Sequence, residues 1–347
     1  MSYRSWLTGS AGVNVFFIIS GFIVASSAEG RTPIEFIRSR TSRILPALWI
    51  CCSLTFLAQC ISDGISFPLL RRFLASALFI PVVPWSGVLS DMWVERVYWT
   101  LFVEAGFYLM IFLLLAFDRF NDIARVATCL GIISLVYWTL FFASLHYIFP
   151  GSEWLRGSAF KRYLDLSLIH HGPWFALGIN VWLAQRTGYG ARAVSILIAV
   201  IGGCLQGAHH SLFETKLEPM YEIAFSLVGF MCVAGAACHH TRFTVNNVTA
   251  SLYRKIGIAT YPLYLLHDYI GKKIIYDSGL FPSSAGKVAA SCVIAALMVW
   301  LALTIAGVVE PVVKTWFLRS FDRFQDTLKR TQKVDFVFRR STPLQPL

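Results

Sequence analysis

Blocks of about twenty mainly apolar residues recur along the chain and constrain its fold more than any other feature. A helix that crosses a bilayer needs about 17–25 such residues, and nine blocks are long enough. They are residues 9–28, 44–61, 98–117, 126–148, 168–185, 193–208, 221–239, 256–271 and 288–309. A tenth block, residues 73–84, is short and contains Pro81 and Pro84, so we expect an interfacial or re-entrant segment there. The pattern predicts an all-α fold, a polytopic membrane bundle of about nine transmembrane helices.

The composition excludes the soluble classes of protein. Only 14% of the 347 residues are charged, whereas a soluble domain has about 25%. The net charge of +11 fits cytoplasmic loops and anionic lipid, so we expect membrane lipid and no nucleic acid as a partner. The eight cysteines lie mostly in apolar blocks, where we expect packed thiols. The histidines come mostly as adjacent pairs whose side chains diverge around a helix, so we expect no metal site.

The charges of the loops predict the orientation of the bundle. With nine crossings, one set of loops carries eleven Lys and Arg in 46 residues, and the opposite set carries eleven in 91 residues. Because positively charged loops stay in the cytoplasm, the denser set is assigned to that side. The basic tail at residues 314–347 falls on the same side, which places the C-terminus in the cytoplasm and Met1 outside.

The first apolar block contains polar and small residues that contact with lipid does not explain. In VNVFFIISGFIV, residues 13–24, these are Asn14, Ser20 and Gly21. One interpretation is packing, in which small residues let two helices approach and Asn14 bonds a neighbouring helix. The other is that these residues line a polar chamber inside the bundle.

A basic cluster precedes the second block, in FIRSRTSRILPALW at residues 36–49. Arg40 and Arg43 are three residues apart and share a helix face, and Pro46 is expected in the first turn of the span. The cluster is either a topological signal or a phosphate-binding site, because the guanidinium fork matches phosphate oxygens.

Two ionisable residues lie inside later blocks. Glu104 is placed one to two turns into its span, and a carboxylate at that depth needs a partner, so it is either functional or a structural partner of a buried cation. His267 lies toward the outer end of the eighth block and can act as a base near neutral pH. Alternatively, His267 is an interfacial residue beside Tyr264 in an aromatic belt.

Five segments taken together resemble the membrane acyltransferase-3 family, polytopic bacterial enzymes that O-acylate sugars of surface polysaccharides and glycolipids. The segments are GVNVFFIISGFIV from Gly12, RSRTSRILPALW from Arg38, WTLFVEAGFY from Trp99, YPLYLLH ending at His267, and Glu310-Pro311. Thr100 stands where the family pattern has Ser. The resemblance covers residues 12 to 311, within a domain that we expect at residues 1–313.

The resemblance implies an integral membrane O-acyltransferase of the bacterial inner membrane. It would transfer an acyl group, expected to be acetyl, from a cytoplasmic acyl-coenzyme A to a hydroxyl of a cell-surface sugar or polysaccharide precursor, with no metal. The implied residues are His267 and Glu104 for catalysis, Asn14, Ser20, Trp99, Tyr108 and Tyr264 for the saccharide substrate, and Arg40 and Arg43 for the acyl donor.

The chain departs from the family at its start. The family has a further helix there that carries an Arg and then a His taken as the catalytic base, and Met1 falls after the point where that helix would end. The expectation is a chain that is inactive or nearly so, unless His267 substitutes as the base. Two alternatives stay open at this point: a transporter or flippase of lipid-linked sugars, and a catalytically inactive relative of the family.

Overall fold

A computed structural model describes residues 9–79, 93–145, 164, 166–215, 219–239, 247–273 and 284–341. These residues form helices and turns without a β-strand, which confirms the predicted all-α fold. The α-helices are α1 (Gly9–Ala28), α2 (Pro33–Asp63), α3 (Phe67–Ala77), α4 (Trp99–Ala116), α5 (Ile123–Leu145), α6 (Leu168–Thr187), α7 (Tyr189–His209), α8 (Pro219–His239), α9 (Asn247–Leu266), α10 (Tyr269–Lys272), α11 (Ser284–Thr304) and α12 (Glu310–Ser341). Two π-helical segments, His210–Thr215 and Ile305–Val309, continue α7 and α11.

The described parts of the nine predicted spans are helical except for a turn in the eighth, and among the described residues seven helices are long and apolar enough to cross a membrane. The other two, α6 and α9, are 20 residues long but contain more polar residues. Every side chain of α6 from His170 to Trp182 is buried. Polar residues in α6 therefore contact protein, which is why its sequence is less apolar than that of a lipid-facing helix.

The second helix begins earlier than the apolar block predicts. A capping box starts it: the Thr32 N–H donates to Glu35 Oε2 at 3.0 Å, and the Glu35 N–H donates to Thr32 Oγ1 at 3.3 Å. Pro33 is the first helical residue. The prediction that Pro46 lies in the first turn is therefore wrong, because Pro46 lies inside α2. The arginine cluster is helical as a result.

Three other boundaries differ from the sequence-based expectations. The short block predicted at residues 73–84 corresponds to α3, whose 11 residues end at Ala77, and residues 80–84 lie outside the described residues. At about 1.5 Å per residue, α3 is too short to cross a bilayer.

The eighth predicted span is interrupted, since α9 ends at Leu266 and His267 lies in the turn before α10. The tail is helical, because α12 continues across residue 313 to Ser341.

The chain divides into two compact units, which are residues 1–36 with 74–247 and residues 37–73 with 248–347. In the first unit, α1 and α6 pack closely at positions where each helix has a glycine. A Cβ on Gly21 would lie 2.4 Å from the Phe175 carbonyl oxygen, and one on Gly178 would lie 2.0 Å from the Ile18 carbonyl oxygen. The expected small-residue contact is therefore present.

Contacts at the helix ends show that α1 and α6 run in the same direction. The rings of Phe17 and His171 lie 5.2 Å apart in the first halves of the two helices. At the opposite ends, both guanidinium Nη atoms of Arg186 donate to the Glu29 carboxylate. The two helices are the first and fifth predicted spans, and alternating crossings require them to be parallel.

In the second unit, α2 packs along α9 and α12. Tyr261 donates to the Ile44 carbonyl oxygen at 3.3 Å, and farther along α2 the Lys273 ammonium lies 2.9 Å from Asp63 Oδ1. The second and eighth predicted spans are therefore also parallel, as alternation requires. At the beginning of α2, Arg38 makes a bidentate ion pair with Asp322 of α12, with both bonds at 2.8 Å.

Candidate active site

A buried carboxylate contacts two of the predicted site residues of the first unit. Glu104 of α4 is 5% exposed, and its Oε1 accepts a hydrogen bond from Ser20 Oγ of α1 at 2.8 Å. Tyr108 is one turn later on α4, and its hydroxyl donates to the same oxygen at 2.8 Å. The i, i+4 spacing of Glu104 and Tyr108 puts both on one helix face. The structure thus brings together three residues that the sequence placed in one site.

Glu104 is held from its own helix and from another one. Ser20 of α1 and Tyr108 of α4 both donate to Oε1 of the carboxylate. Hydrogen bonds to a charged acceptor are stronger than neutral ones, so these two donors stabilise the buried carboxylate.

Asn14 and Trp99 lie in the same unit but make different contacts. Asn14 is 2% exposed, and its Nδ2 donates to Ser226 Oγ of α8 at 3.1 Å. The packing interpretation of Asn14 as a bond to a neighbouring helix therefore holds. Trp99 is half-buried at the start of α4, and its ring lies 5.0 Å from that of His171.

Sequence reasoning missed a group of histidines near Trp99. His170, His171 and His209 are at most 5% exposed, and they come from α6 and α7. The ring centroids of His170 and His171 are 4.3 Å apart, and those of His170 and His209 are 6.0 Å apart. No group of three side chains that could hold a metal ion occurs among the described residues. The proximity of these histidines across two helices could not be read from spacing within each pair.

A second buried carboxylate, Glu222, lies at the start of α8. Its Oε2 lies 3.0 Å from His210 Nδ1 and accepts a hydrogen bond from Ser211 Oγ at 3.0 Å. Glu222 is 1% exposed, whereas the His210 side chain is 20% exposed. His210 and Ser211 open the π-helical segment after α7, which brings them toward α8. This constellation was also missed, because its residues are eleven and twelve positions apart.

The arginine cluster lies in the second unit, and its members have different surroundings. Arg40 is buried, Arg43 is exposed, and Arg38 is engaged by Asp322. Lys314 and Arg43 are the cations whose charges act on the Glu310 carboxylate. Arg43, Lys314 and the Glu310 carboxylate therefore lie near one another, and Arg43, which is inside α2, is exposed to an anionic ligand.

His267 and Tyr264 line a cavity of about 460 Å³ between α9, α10 and α11. The His267 Nδ1 lies 2.7 Å from the Tyr264 carbonyl oxygen. A carbonyl oxygen only accepts, so Nδ1 carries the proton and the lone pair of the neutral ring is on Nε2. His267 is exposed and in the tautomer that accepts a hydrogen bond from a hydroxyl.

The two predicted groups of the second unit lie far apart along α2. The side chain of Tyr269, two residues after His267, donates to Asp63 Oδ2 at 2.9 Å, at the last residue of α2. Arg43 is 20 residues earlier on α2, which corresponds to about 30 Å of helix. That length is the thickness of the hydrocarbon core of a bilayer.

Comparisons with known proteins agree with the motifs. The sequence model of the acyltransferase-3 family, described as an acyltransferase domain, matches residues 1–310. The exopolysaccharide production protein ExoZ of Rhizobium meliloti (strain 1021) is 39% identical over 104 residues, which are 29% of this chain and 32% of ExoZ. The chain thus matches about a third of the length of this curated relative. No solved structure matches.

Proposed function

The chain belongs to the acyltransferase-3 family, and from this premise we propose that it is a membrane O-acyltransferase of exopolysaccharide production. In this proposal it transfers an acetyl group from acetyl-coenzyme A to a hydroxyl of a saccharide. The printed name of ExoZ, an exopolysaccharide production protein, supports the choice of exopolysaccharide as the product that is modified. The observation that carries the proposal is the Glu104 carboxylate, because the family motifs of α1 and α4 supply its donors, Ser20 and Tyr108.

The first part of α2, which carries Arg40 and Arg43, suits the acyl donor. Coenzyme A carries several phosphate groups, and Arg43 and Lys314 offer cations on neighbouring helices. Arg40 is buried one turn before Arg43, so in this proposal it supports the site from inside the unit. Arg38 is already engaged by Asp322. The bound donor would supply an activated carbonyl carbon as a thioester.

The opposite end of α2 suits the acceptor. His267 Nε2 can accept a hydrogen bond from a saccharide hydroxyl or take its proton, and Tyr264 lines the same cavity. In the first unit, Asn14, Ser20, Trp99 and Tyr108 are proposed to contact the saccharide. Donor and acceptor would then be handled on opposite faces of the inner membrane, with the donor and the C-terminus on the cytoplasmic side.

The proposal is tested with the purified full chain in lipid nanodiscs. Acetyl-coenzyme A with a radiolabelled acetyl group is mixed with methyl glucoside, methyl galactoside or methyl mannoside, and alkali-labile ester is counted in the saccharide fraction. We expect label in at least one saccharide, and Arg43→Ala should raise the KM for acetyl-coenzyme A about tenfold, since a charge-assisted bond contributes about 1.5–3 kcal/mol. Absence of label from all saccharides would contradict the proposal.

A further inference from the structure

One face of α12 changes from apolar to basic along its length. Val312 and Trp316 are large apolar side chains, yet they are 69% and 62% exposed. Arg319 and Arg323 follow on the same helix and are exposed as well. Successive members of this group are three or four residues apart, so their side chains share one face of the helix. The apolar end of this face comes directly after the ninth predicted span, which ends at residue 309.

Other side chains of α12 fix its orientation within the second unit. The ring of Trp49 on α2 lies 5.9 Å from that of Phe317 and 6.4 Å from that of Trp316, between centroids. Farther along α12, Asp322 accepts both hydrogen bonds of the bidentate pair with Arg38 of α2. The direction in which the exposed face points is therefore set by contacts with α2.

The exposed face has an excess of positive charge. No ion pair involves the guanidinium of Arg319 or Arg323 among the side chains that the structure describes. The intervening acid, Asp322, is engaged by Arg38, and the exposed Asp326 offsets one of the two charges. Over its whole length, α12 has eight Lys and Arg against four acidic residues. This face of α12 therefore attracts anions.

The order of groups on this face matches the order of groups in a phospholipid. Apolar side chains suit acyl chains, an indole suits the interface between membrane and water, and guanidinium forks suit a phosphate. Val312 and Arg323 are eleven residues apart, which corresponds to about 16 Å of helix. The headgroup layer on each side of a bilayer is about 5–8 Å thick, so this stretch can extend from the hydrocarbon through that layer.

We infer that Arg319 and Arg323 bind the phosphate of an anionic phospholipid, such as phosphatidylglycerol, whose acyl chains lie along Val312 and whose glycerol lies beside Trp316. Clusters of Lys and Arg that follow a membrane span attract lipids of this charge. Phosphatidylcholine binds this face less well, because its own ammonium group already accompanies the phosphate. The inference concerns a lipid site on the second unit and does not depend on acyl transfer.

The competing interpretation is that these arginines only fix the orientation of the chain during insertion. The test therefore identifies the lipids that contact α12 in a finished bilayer. The purified full chain is placed in phosphatidylcholine nanodiscs that contain a trace of photoactivatable phosphatidylglycerol or photoactivatable phosphatidylcholine. Cross-linked peptides are quantified by mass spectrometry. We expect phosphatidylglycerol to label peptides of α12 about thirtyfold more than phosphatidylcholine does, since each Arg near a membrane surface contributes about a fivefold preference for anionic lipid.

Paired variants separate this site from the net charge of the protein. Arg319→Gln and Arg323→Gln should each lower the preference about fivefold, and the double variant should abolish it. Both side chains are exposed, so the unfolding midpoint in phosphatidylcholine should stay unchanged. The control is the double variant Arg119→Gln and Arg125→Gln, which removes the same charge from two arginines already engaged by Asp122. It should keep the full preference.

Three results would overturn the inference. Equal labelling of α12 by the two lipids would show that only the general lipid layer touches it. A preference that survives in both single variants and in the double variant at positions 319 and 323 would come from other basic residues. A preference that is lost in the control as well would reflect net charge alone. Excess coenzyme A should not reduce the labelling, and a reduction would assign the two arginines to the phosphates of the acyl donor instead.

Discussion

At the scale of single residues, two buried carboxylates of the first unit, Glu104 and Glu222, each accept hydrogen bonds from side-chain hydroxyls. Glu104 is buried and accepts hydrogen bonds from Ser20 and Tyr108, so the hydroxyls of two family motifs converge on one oxygen. A carboxylate in an apolar bundle is retained only where such donors exist, since an isolated charge there costs several kcal/mol. A substitution of Glu104 can therefore separate its charge from its shape.

Glu104→Gln keeps the shape of the side chain and an oxygen that can accept from Ser20 or Tyr108. The neutral amide makes weaker hydrogen bonds than the carboxylate but costs less to bury, so we expect the thermal unfolding midpoint to change little. Acetyl transfer should fall about tenfold or more, because the fixed negative charge is lost. Initial rates and midpoints measured on the same preparation check this. A variant that transfers acetyl at the wild-type rate would show that the charge of Glu104 has no role in the reaction.

The sequence predicted the residues of this cluster but not those around Glu222. Glu104 stands out because a carboxylate inside a long apolar run needs a partner, whether its role is functional or structural. Glu222 escapes notice because it lies at the edge of a block, where acids are common. Its contact with His210 also depends on a π-helical segment, and nothing in the local sequence marks a π-turn. Contacts that depend on backbone irregularity of this kind could not be predicted from spacing.

At the scale of helices, the apolar blocks predicted where helices lie but not where they begin and end. Hydropathy marks the part of a helix that contacts lipid or core, whereas caps and turns mark its ends. The capping box of Thr32 and Glu35 starts α2 within a polar segment, and the turn at His267 interrupts a block that is apolar on both sides. The predicted class of fold is therefore confirmed, whereas several helix boundaries differ from those predicted.

The contact between α1 and α6 allows a stability prediction. A Cβ on Gly21 would lie 2.4 Å from a backbone oxygen of α6, which cannot move independently of its helix. We expect Gly21→Ala to destabilise the protein by about 1–3 kcal/mol, as overpacked sites do. On the same helix, a Cβ on Gly12 would meet nothing within 4 Å. Gly12→Ala should be neutral or stabilising by up to about 1 kcal/mol. Equal unfolding midpoints for the two variants in nanodiscs would contradict the close contact.

The ion pair between Glu29 and Arg186 makes the stability of the α1–α6 contact depend on pH. The hydrogen bonds from Arg186 lower the pKa of the Glu29 carboxyl below its ordinary 4.5. A lowered pKa means that the pair stabilises the fold above the ordinary pKa and that this contribution is lost as the pH falls through the lowered value. Both side chains are well exposed, so solvent screens the pair and its contribution to stability is small.

The pH prediction is checked by comparing the unfolding midpoint of the wild type with that of Glu29→Gln. The difference should be largest near neutral pH and should vanish in acid, where the wild-type carboxyl is protonated as well. A difference of the same size at every pH would show that the substitution acts through packing and not through the charge of Glu29.

At the scale of the whole molecule, the described helices and the family membership agree on a multi-pass membrane acyltransferase. The motifs carried this conclusion, because composition and periodicity alone also fit a transporter. A transporter of lipid-linked sugars and an O-acyltransferase would both affect an exopolysaccharide, but in different ways. The first controls how much polymer reaches the outside, and the second controls which hydroxyls of the polymer carry an ester.

The most direct measurement is therefore the O-acetyl content of exopolysaccharide from cells that lack the gene for this chain. Proton NMR of the purified polymer counts acetyl groups per repeating unit, and the mass of polymer is measured in parallel. We expect the polymer to lose an O-acetyl group without loss of yield, and a plasmid with the wild-type gene, but not with Glu104→Gln, to restore it. Unchanged acetylation together with a reduced yield of polymer would contradict the account and indicate a transporter.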